Sequence, residues 1–266
     1  MTDQQIFELI DARRGEMQAV LDFMETHPAT GYREWEASNY LAKAYQELGY
    51  TLTTAENIPG FYTDVDTGKP GPKILILSEL DGLFVPGHPH ADPETNAAHA
   101  CGHHAQCAAL YGVAAALREP AVLEGLCGSI RLCVVPAEEL VETDFRMELR
   151  RKGVIRYFGG KQEFLARGYF DGCDMAFMIH TGGGQHRFSI RSGCNGCVIK
   201  AAEFTGKSVH AAAPRHGVNA LQAASLSLSA INALRDTFNN YDFVRVHPIL
   251  TQAGTAVNAV PGVCTM

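Results

Sequence analysis

Positive charge is scarce in this sequence of 266 residues. Lysine and arginine together number 22, against 29 aspartates and glutamates, which leaves a formal net charge of −7. A protein that holds nucleic acid presents a basic face to the phosphates. The charge balance therefore argues against a nucleic-acid partner.

Apolar runs long enough to span a bilayer are missing as well. The longest run without a charged or strongly polar residue is Cys107–Leu117, and Gly112 interrupts it. The amino-terminal sequence MTDQQIFELIDARR is polar and then amphipathic, which is not the pattern of a secretory signal peptide. We therefore expect no membrane partner and no export.

The cysteines lack the arrangement of a disulfide framework. There are eight, they are scattered, and Cys127, Cys133 and Cys173 lie within or beside apolar runs. In a chain of this size without an export signal, such cysteines are typical of a reducing compartment. We expect free thiols and a cytoplasmic protein.

Helical and strand patterns alternate along the chain. Apolar residues recur at a helical period between Ile6 and Met24, and a second helix is predicted from Glu34 to Leu48. Three apolar runs of strand length follow at 73–77, 130–135 and 175–179, with helices predicted at 105–117 and 161–167. Continuous apolar strands are buried on both faces. The pattern predicts an α/β domain with a mostly parallel sheet and helices on both faces.

Polar side chains follow each of the three predicted strands. Asp81 follows the first strand, the pair Glu138-Glu139 follows the second, and His180 follows the third. Ligands in open α/β sheets bind beyond the carboxyl ends of the strands, so these groups should share one edge. A loop with Cys101 and His103 precedes a helix and can reach the same edge. Thiolate, imidazole and carboxylate are the ligand set of a hydrolytic metal site.

Specific motifs give the chain a family resemblance. It resembles the aminoacylase/carboxypeptidase family of dinuclear-metal peptidases, and within it the amidohydrolase branch of hippurate, auxin-conjugate and aminobenzoyl-glutamate hydrolases. The resemblance begins near His27 and continues to the last residue. HACGH at 99–103 and PAEE at 136–139 are its most specific motifs. It also includes SELD at 78–81, MIH at 178–180, HAAAP at 210–214, GVNA at 217–220 and VNAVP at 257–261.

The resemblance implies a set of metal ligands. Cys101 would bridge two divalent ions, where other branches of the family use an aspartate. A thiolate suits zinc or another borderline-soft ion, so zinc, manganese and cobalt are the candidate metals. His103 would bind one ion, and Glu139 and His180 would supply further ligands.

Two catalytic roles follow from the same resemblance. Glu138 would be the general base, taking a proton from water and passing it to the leaving amine. Asp81 would lie behind the site and position the metal ligands.

The resemblance also divides the chain into two domains. Residues 1–191 would be the metal-binding catalytic domain, and residues 192–266 the start of an α+β lid and dimerisation domain. A homodimer is implied, in which His210 reaches the neighbouring subunit's site and helps to hold the reacting carbonyl oxygen. Asn258 matches a residue that faces the substrate.

The chain departs from the family pattern at three places. His104 stands where this branch has an acidic residue. The segment 140–158 is longer and more charged than the usual link, and we expect a solvated helix there. The family continues beyond the second domain and brings one more metal-binding histidine to the first sheet. We therefore expect a carboxy-terminally incomplete chain, which the gene sequence downstream of Met266 would test.

The predicted function is metal-dependent hydrolysis of the amide bond of N-acyl amino acids or related small conjugates. A dipeptidase of the same family is one alternative. An inactive fragment that binds metal and dimerises is another. Comparing the turnover of N-acyl substrates with that of free-amino dipeptides distinguishes the amidohydrolase from the dipeptidase. Measuring metal content together with hydrolysis tests for the inactive fragment.

Overall fold

The computed structural model describes residues 1–182, 188–190 and 196–266. These residues belong to two compact units, Met1–Gln185 and His186–Met266. The predicted boundary between residues 191 and 192 lies outside the described residues.

The first unit contains the helices and strands that the sequence predicts, except that the helical pattern from Ile6 to Met24 is divided between two helices at Arg13. The helices are α1 (Asp3–Ala12), α2 (Arg14–Thr26), α3 (Trp35–Glu47), α4 (His103–Ala116), α5 (Pro120–Leu123), α6 (Thr143–Arg151) and α7 (Gly160–Ala166). The strands are β1 (Thr53–Thr54), β2 (Phe61–Asp66), β3 (Lys73–Glu79), β4 (Leu83–Phe84), β5 (Ala97–Ala98), β6 (Ser129–Val135) and β7 (Met175–Met178).

A five-stranded sheet of order β1-β2-β6-β3-β7 forms the centre of this unit. The three predicted strands are β3, β6 and β7, and β3 pairs in parallel with both neighbours. Strand β2 pairs antiparallel with β6, and β1 pairs antiparallel with β2, so the sheet is mixed. The α/β fold class is confirmed. Sequence reasoning missed β2, in which buried Phe61, Thr63 and Val65 alternate with more exposed residues.

Strand β6 is buried under helices on both of its faces, whereas the residues of the edge strand β7 are exposed. The expectation that every apolar strand is buried on both faces is therefore wrong for β7. On β6, Leu132 and Val134 belong to one core, with side chains of α2, α3 and α4. Cys133 and Val135 belong to a second core, with Phe164 of α7. Successive residues of a strand point to opposite faces. The continuous apolar run of β6 is therefore explained by burial on both sides.

The charged segment 140–158 forms α6 and the turns around it. Most of its charged side chains are exposed to some degree, as expected for a solvated helix, but Arg146 is completely buried. The expectation of a wholly solvated helix is therefore wrong at this position.

The described part of the second unit combines one α-helix with short antiparallel strands. Its strands are β8 (Glu203–Thr205), β9 (Val209–His210), β10 (Ala259–Val260) and β11 (Val263–Thr265). Strand β8 pairs with β11, and β9 pairs with β10. Helix α8 (Ala220–Leu234) buries Ala220 and Ala224 in a core with Cys264. No helix in the described parts of either unit is both long and apolar enough for a membrane span.

Candidate metal centre

The predicted site residues follow strands that end at the same edge of the sheet. Glu79 at the end of β3 is aligned with Val135 at the end of β6, and Leu77 of β3 is aligned with Met178 at the end of β7. Asp81, Glu138 and His180 therefore leave the sheet side by side. The register of the parallel strands accounts for their proximity.

Three side chains form a first group of potential ligands at this edge. One ligand atom each of Cys101, His103 and His180 lies within 4.8 Å of the others. The Cys101 Sγ and His180 Nε2 atoms are 3.3 Å apart. Two donors on a tetrahedral zinc ion are separated by about 3.5 Å. The spacing fits side chains that share one ion.

Backbone carbonyls orient both imidazoles toward this point. His103 Nδ1 lies 2.7 Å from the carbonyl oxygen of Asp81, and His180 Nδ1 lies 2.7 Å from that of Thr181. A ring that donates through Nδ1–H keeps the lone pair of Nε2 for a metal. The Asp81 carboxylate also accepts from the Glu139 amide at 2.8 Å. Asp81 thus contacts two of the predicted ligands, and its predicted role behind the site stays a prediction.

The turn at Gly102 joins the cysteine loop to the end of β7. Gly102 has φ +94°, and a Cβ atom there would lie 2.4 Å from Thr181 Oγ1. The Thr181 hydroxyl donates to the carbonyl oxygen of Cys101 at 2.7 Å. Only glycine combines this left-handed backbone with so close a neighbour. The contact places Cys101 beside His180.

A second group contains a residue that sequence reasoning left without a role. Glu79, His103 and Glu138 also offer ligand atoms within 4.8 Å of one another. Glu79 Oε2 lies 3.1 Å from His103 Nε2, and both side chains are fully buried. Glu79 belongs to the SELD motif and ends a buried strand. A carboxylate at the end of a buried apolar strand is the sequence feature that could have indicated a role for Glu79 in the site.

The Glu139 carboxylate lies against the Cys101 thiol rather than within either group. Burial raises the pKa of that thiol to about 12, and a hydrogen bond and negative charge from Glu139 act in the same direction. A thiol in this setting requires a cation nearby before it can become a thiolate ligand.

The electrostatics of the site favour a bound cation. Burial disfavours the protonated imidazole of His103, but the hydrogen bond and charge of Asp81, together with Glu79, raise its pKa to about 9. Glu79 Oε2 and His103 Nε2 are buried in ion-pair contact with each other, but within the described residues neither atom makes a hydrogen bond. Such atoms are costly unless something pairs with them. The donor set therefore fits a divalent metal.

Glu138 lies beside this centre and is partly open to solvent. Its carboxylate is 4.0 Å from His103 Nε2, and 34% of its side chain is exposed. Burial and the negative charge of Glu79 raise its pKa. A carboxylate with a raised pKa next to a metal site has the properties of a general base.

Two buried charged residues support the PAEE loop from beneath. Glu34 accepts a hydrogen bond from the Ala137 amide at 2.8 Å, and the Arg146 guanidinium donates to the Glu139 carbonyl. Ala137 has φ +55°, a conformation that costs energy for a residue with a Cβ atom. These contacts hold the strained loop that bears Glu138 and Glu139.

The partly buried His104 packs next to the buried His99. The rings of His99 and His104 are 5.3 Å apart. Burial and the neighbouring His104 lower the pKa of His99 to about 3. Burial also lowers the pKa of His104. Both imidazoles are therefore neutral near pH 7, so His104 does not reproduce the negative charge of the family's acidic residue.

The two predicted substrate contacts lie together in the second unit. His210 of β9 is aligned with Ala259 of β10, next to Asn258. The Ala211 amide donates to the Asn258 carbonyl at 2.9 Å. Both His210 and Asn258 are exposed. Their predicted roles toward the substrate stay predictions.

Comparison with known proteins identifies the second unit and the overall family likeness. Residues 191–266 match the peptidase dimerisation domain family. The chain is 31% identical over 119 residues to the N-acetyl-L-cysteine deacetylase of Bacillus subtilis, an alignment that covers 44% of this chain and 28% of the relative. Aligned segments cover 28% to 45% of the curated relatives, so the chain spans less than half of their length.

Solved structures share the fold of this chain. The aminobenzoyl-glutamate utilization protein of Klebsiella pneumoniae has a TM-score of 0.65 at 20% identity, covering 98% of this chain and 67% of that one. The YXEP protein of Bacillus subtilis, a dinuclear metal binding peptidase from the M20 family, has a TM-score of 0.58 at 19% identity, covering 96% and 63%. The predicted resemblance to the dinuclear-metal peptidases is confirmed.

Proposed function

We propose that this protein is a metal-dependent amidohydrolase that cleaves the amide bond of N-acyl amino acids or related small conjugates. The observation that supports it most directly is the convergence of Cys101, His103 and His180 beside the carboxylate of Glu138. The deacetylase activity named for the Bacillus subtilis relative supports the substrate class.

Metal ions would be held on the cysteine side of the site. Cys101, His103, Glu139 and His180 would hold two divalent ions of zinc, manganese or cobalt. When bound, such ions lower the pKa of water and polarise the substrate carbonyl.

Glu138 would move the proton. Its carboxylate accepts a proton from the attacking water as the water oxygen bonds to the acyl carbon. The same group then donates that proton to the amide nitrogen as the carbon–nitrogen bond breaks. The products are a carboxylic acid and a free amino acid or amine.

We further propose that residues 192–266 dimerise, that His210 reaches the neighbouring subunit's site, and that Asn258 faces substrate. The match to the peptidase dimerisation domain supports the homodimer. A cytoplasmic location is proposed from the cysteines: Cys101, Cys107, Cys127, Cys133, Cys173, Cys197 and Cys264 are free thiols.

The test measures metal content and hydrolysis with the same preparation. The purified protein is stripped with a chelator, reloaded with zinc, manganese or cobalt, and assayed on N-acetyl amino acids and on free-amino dipeptides. We expect metal-dependent release of the free amino acid from the N-acetyl substrates. Faster turnover of the dipeptides would favour the dipeptidase. Tight metal binding without hydrolysis of either substrate would favour the inactive binding protein.

A further inference from the structure

The amine of Lys161 lies between two acidic residues of the candidate site. Its Nζ atom contacts Glu79 Oε1 and lies 3.7 Å from Glu138 Oε1. Glu79 has no solvent exposure, and 30% of the Lys161 side chain is exposed. An ammonium group therefore faces the same two carboxylates that, with His103, form the second group of potential ligands.

The position of Lys161 is fixed by the backbone next to it. The Gly160 amide donates to the Ala137 carbonyl at 2.9 Å. A Cβ atom on Gly160 would lie 1.7 Å from the Pro136 carbonyl oxygen. The first turn of α7 is thus packed against the PAEE loop, with no room for a side chain at residue 160. This packing delivers Lys161 to the site.

The two groups of ligands cannot both use His103. His103 belongs to each of them, and its Nδ1 atom already contacts the Asp81 carbonyl oxygen. Only Nε2 is left for a metal, and one imidazole nitrogen binds one ion. An ion bound by Glu79 and Glu138 would compete for His103 and would also occupy the carboxylate that should accept a proton. A general base has to lie near the metal without being one of its ligands.

We propose that Lys161 is a positioning residue whose ammonium supplies the cation for the Glu79–Glu138 pair. Metal ions are thereby confined to the Cys101 side, and Glu138 stays free for proton transfer. The role assigned to Glu138 rests on the proposed function. The charge argument is independent of it, because a fixed ammonium opposes a divalent ion at the same carboxylates.

The test compares metal binding by four variants with that of the parent. Lys161→Met and Lys161→Gln remove the ammonium, Lys161→Arg keeps a cation, and Lys152→Met removes an exposed lysine that pairs with Glu148. Equilibrium dialysis with Mn²⁺ should give about one more ion per chain for the Met and Gln variants than for the parent, because Mn²⁺ prefers oxygen ligands. The Arg variant and the Lys152 control should match the parent. Adding Glu79→Gln to Lys161→Met should remove the extra ion.

Two outcomes would overturn the proposal. One is an unchanged Mn²⁺ count in folded Lys161→Met and Lys161→Gln proteins, with folding checked by circular dichroism. The other is a lower count when Glu79→Gln is placed in the parent, which would mean that the pair already holds an ion. A separate Co²⁺ spectrum reports thiolate ligation by Cys101. Lack of the thiolate-to-cobalt band in the parent would count against the proposed function, whereas the Mn²⁺ counts test the role of Lys161.

Discussion

The guanidinium of Arg146 donates a hydrogen bond to the backbone carbonyl of Glu139 from a position with no solvent exposure. The same group donates to the Phe158 carbonyl at 2.8 Å. One side chain of α6 thus joins the loop that bears Glu138 to the chain that enters α7. The charged segment between β6 and α7 supports the site instead of only covering the surface.

Replacing Arg146 should destabilise the protein strongly. Arg146→Met keeps the apolar stem but removes the donor to the partly buried Glu139 and Phe158 carbonyls. We expect a loss of about 2–4 kcal/mol in the free energy of unfolding. Urea unfolding followed by circular dichroism measures it. Arg150→Met is the matched control, because Arg150 is exposed on the same helix. Equal midpoints for the two variants would contradict the supporting role.

Glu138→Gln should separate catalysis from metal binding. The amide cannot accept the proton, while Cys101, His103, Glu139 and His180 are unchanged. We expect hydrolysis of N-acetyl amino acids to fall by roughly 10²- to 10⁴-fold, with metal content by elemental analysis close to that of the parent. Glu148→Gln, on the exposed part of α6, should keep full activity. Parental turnover by Glu138→Gln would show that another group is the base.

Glu163 should contribute to the free energy of unfolding in a way that depends on pH. Its buried carboxylate accepts from the Arg156 amide at 2.7 Å, the Tyr157 amide at 2.9 Å and Arg167 Nε at 2.8 Å. Burial opposes ionisation, but the Arg167 and backbone hydrogen bonds outweigh it and lower the pKa.

The pKa of Glu163 is lower in the folded chain than in the unfolded chain, where the pKa of glutamate is about 4.3. Its stabilisation is therefore present above that pH and is lost as the pH falls through the lower, folded value. At pH 7, Glu163→Gln should have its unfolding midpoint at a lower urea concentration than the parent. This difference should shrink as the pH is lowered below about 4.3. The exposed Glu47→Gln serves as the control. A constant difference at all pH values would refute the linkage.

Mixing two inactive variants tests whether the site is shared between subunits. Glu138→Gln and His210→Ala should each be inactive alone. If His210 serves the neighbouring subunit, each mixed dimer holds one intact site, and equal mixing should recover about a quarter of the parental activity. Refolding the two variants together, followed by the hydrolysis assay, measures this. If the mixture stays as inactive as the separate variants, His210 does not act across the dimer.

Local sequence patterns were sufficient to predict the strands that build the site. The apolar runs of β3, β6 and β7 have strand length and strand composition, and polar residues follow each run. The HACGH motif lies in the loop before α4. Sequence patterns did not predict β2 because Tyr62, Asp64 and Asp66 alternate with its buried residues, so it lacks a continuous apolar run.

The sequence by itself determined the fold class and most of the residues at the sheet edge, since periodicity and motif spacing are local properties of the chain. Only the tertiary structure decided what Glu79, Arg146 and Lys161 do. In the sequence Arg146 and Lys161 look like ordinary solvated charges, and Glu79 is distinguished only by its place at the end of an apolar run. Their burial and pairing arise from segments far apart in the chain, such as Lys161 and Glu79, 82 residues away. Contacts of that kind depend on how helices pack over the sheet, and no local pattern encodes them.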